Sequence, residues 1–115
     1  MMVSMMTDED YSRFHCNRVN LLIHIVAVPV FLLGNVSLLA GLLQPDVGRM
    51  VVSVGFIALS LGVQKLGHSM EATPPEPFAG AGDFFRRIYS EQLSRFWVFL
   101  FDGGWLRNWR AVADN

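Results

Sequence analysis

The chain has 115 residues, a length that holds one domain. Charged residues make up 17% and hydrophobic residues 52%, with a mean hydropathy of +0.36. Ordinary soluble domains carry roughly 25% charged residues, so this is the composition of a membrane protein. A net charge of -1 leaves no electrostatic footprint for nucleic acid, and the single cysteine, Cys16, excludes an internal disulfide.

The segment from Met1 to Arg18 carries Asp8, Glu9 and Asp10 and has no apolar core, unlike a cleavable signal peptide. From Val19 to Pro45 no residue is formally charged. That run exceeds the roughly 20 residues needed to cross a bilayer and predicts a first transmembrane helix over about 19–43. Pro29 lies inside it, removes the bond to the Ile25 carbonyl and predicts a kink that membrane helices tolerate. Gly34 and Gly41 allow a second helix to approach closely.

Gln44-Pro45-Asp46-Val47-Gly48 reads as a turn, with Asp46 as the N-cap of the next helix. A second transmembrane helix is predicted over about 49–70, with Lys65 snorkelling to the interface. Pro74, Pro75 and Pro77 then stop it. Asp83 reads as the N-cap of a third helix over about 84–101. This helix mixes Arg86, Arg87, Glu91 and Arg95 with Phe84, Phe85, Ile88, Leu93, Phe96 and Trp97, the pattern of an amphipathic or partly inserted segment. Trp105, Arg107, Trp109 and Arg110 form an aromatic and basic belt.

The fold class is therefore all-α: a single membrane domain over residues 1–115, built as a helical hairpin plus a third amphipathic or interfacial helix. Arg13, Arg18, Arg86 and Arg87 fall on one side and only Arg49 at the hairpin tip. The positive-inside rule puts the N-terminus and the open end of this multi-pass protein in the cytoplasm. Two helices expose much surface, and a homodimer is one way to cover it.

His24 and His68 lie equally far before and after Asp46, so antiparallel pairing brings them to one depth. Asn17, Asn20 and His24 share one helical face, spaced i, i+3, i+7; Gln64, His68 and Glu71 share another, spaced i, i+4, i+7. Polar stripes in apolar helices are costly against lipid and should face each other. His15 is out of phase with His24 and joins only if the helix begins near Asn17 and the preceding coil folds back. Three imidazoles and a carboxylate can hold a divalent first-row metal; two histidines and one carboxylate leave positions open for dioxygen and substrate. Asn17, Asn20 and Gln64 are candidates for holding the rings in orientation. Histidines in membranes also serve as helix-to-helix hydrogen-bond partners, so a non-enzymatic membrane protein stays open beside the metal site. Cys16 reads as a small buried residue.

The motifs His15-x-Asn17-x-x-Asn20-x-x-x-His24 with a following Pro29, and Gln64-x-x-Gly67-His68-x-x-Glu71 with following prolines, resemble the small membrane family of 2-hydroxy fatty acid dioxygenases. The resemblance spans residues 15 to about 78; the chain is shorter than the fungal pattern and lacks its middle pair of hydrophobic segments. It implies an iron(II)-dependent dioxygenase that takes a lipid-derived 2-hydroxy acid and dioxygen and returns an acid one carbon shorter. Carried over by motif, His15, His24 and His68 are metal ligands and Glu71 is a fourth ligand or catalytic base. Arg86 and Arg87 are candidates for binding the substrate carboxylate. Leu21, Ile25, Val28, Leu59 and Val63 offer a lining for its acyl tail. A zinc-dependent hydrolase at the same histidine and glutamate site is the competing enzyme.

Overall fold

The structure, a computed structural model, describes residues 8–71 and 77–113. Every regular element among them is helical. Helix α1 (Asp8–Arg13) leads through a short coil into two long helices, α2 (Arg18–Leu43) and α3 (Val47–Ser69). Then come α4 (Ala81–Ser90), a π-helical turn (Glu91–Arg95) and α5 (Phe96–Phe101) in one helical path, and finally α6 (Gly104–Ala113). The predicted hairpin and third helix are present, with ends shifted by a few residues. The start of the N-terminal segment and the prolines Pro74 and Pro75 lie outside the described residues.

Local chemistry sets the ends of the hairpin helices. Asn17 is extended, and its side chain accepts from the Val19 and Asn20 N–H groups, which opens α2. Asp46 Oδ1 accepts from the Arg49 N–H at 3.0 Å and opens α3, as its position in the turn predicts. Asp83 differs from expectation. α4 begins at Ala81, and Asp83 reaches back from inside its first turn to the Ala79 N–H at 2.9 Å while pairing with Arg86 at 3.0 Å. An acidic group there still favours the positive end of the helix dipole.

α2 and α3 pack antiparallel along their length. A Cβ added at Gly34 would lie 2.9 Å from Ile57 Cγ1, so this glycine sets how closely the helices approach. Ser53 Oγ meets Ser37 Oγ at 2.9 Å, and Ser60 Oγ donates to the Ala27 carbonyl at 2.5 Å. At about 1.5 Å per residue the helices run roughly 39 and 35 Å, more than the roughly 30 Å hydrocarbon core of a bilayer. Their apolar side chains point outward: Leu33 is 69% exposed, Leu43 74% and Val47 71%. A soluble domain would bury this surface; here two helices are long and apolar enough to cross a membrane.

The core sits at the open end of the hairpin. Tyr11, Leu21, Val28, Phe96 and Phe99 are buried together, and Trp97, Trp105 and Trp109 pack around them. Gly103, with φ 90, makes the break that turns α6 back onto α2. Trp105 donates through Nε1 to the Leu21 carbonyl at 3.2 Å, and Arg18 lies over the Trp109 ring, 4.5 Å from its centroid. These tryptophans therefore dock onto the start of α2.

Candidate metal centre

The coil between α1 and α2 supplies His15, α2 supplies His24, and the last turn of α3 supplies His68. Their rings meet at centroid distances of 4.6, 4.7 and 4.9 Å, and one ligand atom from each lies within 4.8 Å of the others. α2 begins at Arg18, so His15 folds back from coil, the one geometry that brings it into phase with His24.

Backbone carbonyls hold the rings. His15 Nδ1 donates to the Tyr11 carbonyl at 2.5 Å, and His24 Nδ1 to the Asn20 carbonyl at 2.9 Å. These bonds select the tautomer with the proton on Nδ1 and leave the Nε2 lone pair toward the cluster. Tyr11 stacks on His15 at 3.8 Å and fixes the plane of the ring. Burial pushes the His15 imidazole well below the usual histidine range, and the His24 and His68 rings push it the same way. It is therefore neutral at neutral pH.

His15 Nε2 and His68 Nδ1 are buried with no hydrogen-bond partner. Buried polar atoms are seldom left so, and a shared cation would engage both. Bonds of about 2.0–2.1 Å keep two nitrogens on one ion within about 4.2 Å, so small ring movements close the set. Imidazole nitrogen is the donor chemistry of zinc, copper, iron and nickel.

Glu71 stands apart from the imidazoles, and the roles of fourth ligand and catalytic base carried over to it do not fit its bonds. Its Oε1 accepts from the Cys16 N–H at 2.8 Å and the Asn17 N–H at 2.9 Å; its Oε2 accepts from Asn20 Nδ2 at 2.6 Å. The carboxylate therefore clamps the end of α3 to the start of α2, beside the positive end of that helix. Gly67 belongs to the clamp, since any Cβ there would collide with Asn20 Oδ1. The double motif is thus one cross-helix fastening that levels the histidines.

Of the amides assigned to ring orientation, Asn20 acts on His24 through its backbone carbonyl alone. Asn17 caps α2 and donates to the Met70 carbonyl at 3.3 Å. Gln64 exchanges two hydrogen bonds with Gln92, at 3.1 and 2.6 Å, and donates to Ser60. Gln92 was not singled out by the sequence, where a lone glutamine in an amphipathic helix carries no signal. Cys16 is exposed rather than buried.

A pocket of about 540 Å³ opens beside His15 and His68, walled by Phe14, Leu61, Phe78, Phe84 and Ile88. Arg87 lines it, stacked on Phe78 at 4.4 Å. Arg86 does not line it; its guanidinium pairs with Asp83 at the surface. The acyl-tail lining proposed from the sequence is also displaced. Leu21 and Val28 are buried in the core, while Leu59 and Val63 line a separate groove of about 400 Å³. Comparison with known proteins finds no family model, no curated protein and no solved structure that matches the chain.

Proposed function

We propose that the chain is an iron(II)-dependent membrane dioxygenase that shortens a 2-hydroxy fatty acid by one carbon, working at the cytoplasmic face. One observation carries this reading: three imidazoles converge, two of them buried and His68 half-buried, two of their nitrogens lack partners, and an apolar pocket opens on His15 and His68. The resemblance of the two histidine motifs supplies the reaction. Its atoms balance: a 2-hydroxy acid and dioxygen give the acid one carbon shorter, carbon dioxide and water.

His15, His24 and His68 would hold the iron, which when bound supplies the activation of dioxygen. The Tyr11 and Asn20 carbonyls keep two of the ligand rings in the binding tautomer. Phe14, Phe78 and Phe84 take the acyl tail and exclude water from the reacting end. The charge of Arg87, held on the pocket wall by the Pro77 carbonyl at 3.2 Å and by Asp83 at 3.7 Å, draws in the carboxylate. Glu71 takes no part in the chemistry and holds the two helix ends together.

An all-imidazole set also suits zinc, so metal identity is the deciding measurement. Full-length protein purified anaerobically in detergent is expected to carry stoichiometric iron and to consume oxygen with 2-hydroxypalmitate. His24→Ala should lose the metal while keeping its helical content. Zinc without iron, together with no oxygen uptake, overturns the dioxygenase. Metal content unchanged in His24→Ala leaves only helix-to-helix bonding for the histidines.

A further inference from the structure

Among the described residues the pocket wall carries one acid. Glu91 opens the π-helical turn and lines the same pocket as His15, His68 and Arg87. Among the described residues no hydrogen bond engages its carboxyl, in contrast to Glu71, whose oxygens are both taken. Glu91 therefore shares one cavity with two of the imidazoles, His15 and His68. Burial pushes the carboxyl up to about 7, and Arg87 one turn earlier pulls it back.

An acid group in an apolar cavity is costly unless something bonds to it. Arg87 and Glu91 are spaced i, i+4, neighbours on one helical face, and the Glu91 N–H still bonds to the Arg87 carbonyl. A 2-hydroxy acid bears its carboxylate and its hydroxyl on adjacent carbons, so one head group can meet both side chains. π-helical turns recur where a helix must present a side chain to a site.

The geometry points to Glu91 as the residue that reads the 2-hydroxyl group: the hydroxyl donates to the Glu91 carboxyl while Arg87 faces the carboxylate, which separates 2-hydroxy acids from plain fatty acids of equal length. This inference rests on the substrate class proposed above. A site that bonds a substrate hydroxyl discriminates against the analogue that lacks it, because the buried group is then left unpaired.

The test is equilibrium dialysis of radiolabelled 2-hydroxypalmitate and palmitate against the full-length iron-loaded protein, kept anaerobic so that nothing turns over. The wild-type protein is expected to prefer the hydroxy acid on the order of tenfold, the scale of one hydrogen bond. Glu91→Leu should lose that preference while keeping its iron and its affinity for palmitate; Glu91→Gln, which still accepts a hydrogen bond, should keep part of it. If Glu91→Leu loses iron, Glu91→Ala is read in its place. A preference undiminished in the iron-loaded apolar variant overturns the assignment of Glu91 alone. Wild-type protein with no preference overturns the assignment and the substrate class together.

Discussion

Glu71 and His68 are three residues apart, His68 in the last turn of α3 and Glu71 just past its end, and they do different work. His68 turns to the other imidazoles, and Glu71 turns to the N–H groups of Cys16 and Asn17 and to the Asn20 amide. Hydrogen bonds to charged groups contribute roughly 1.5–3 kcal/mol each, and removing the acceptor leaves these donors unpaired. Glu71→Ala is therefore expected to unfold earlier than the wild type by several degrees in a detergent melt. With metal stripped from all samples, His24→Ala should melt nearer the wild type. The opposite order would mean that the Glu71 bonds do not hold the helix ends together. The spacing of Gln64 and His68 was legible in the sequence, because periodicity gives the direction of a side chain inside a helix; Glu71 lies past the end of α3, where the period no longer sets its direction. Periodicity does not give the partner. The Cys16 N–H and the Gln92 amide come from elsewhere in the chain, and neither belongs to a pattern.

At the scale of elements, α3 is tied to the third helix by the paired amides of Gln64 and Gln92. Both are buried, so cutting one side leaves the other unsatisfied. Gln92→Ala should cost about 1–3 kcal/mol. The double variant Gln64→Leu/Gln92→Leu should cost less than the sum of its two single variants, as read from denaturant midpoints. Simple additivity would mean that the amides do not act as a pair. The hairpin itself was readable: a long charge-free run, a Pro-Asp turn and a second apolar run leave few alternatives. The π-helical turn was not. Glu91 to Arg95 is ordinary helical composition, and nothing in its spacing marks where the helix widens.

For the whole molecule, the outward apolar surface of α2 and α3 matters most. Leu33, Leu43 and Val47 are each exposed by two thirds or more, and burying such side chains is worth roughly 1.5–3 kcal/mol apiece. The chain is expected to stay with the membrane pellet after alkaline carbonate extraction and to aggregate when detergent is removed. Recovery as a soluble monomer would contradict the reading of these helices as spans.

His15 sits outside both long helices, on a strap folded back from water. The hairpin can therefore enter a bilayer before the third ligand has arrived. Were the three imidazoles to hold an ion as proposed, closing this strap would complete its ligand set, and a chain with the strap open would already be anchored yet lack the third imidazole.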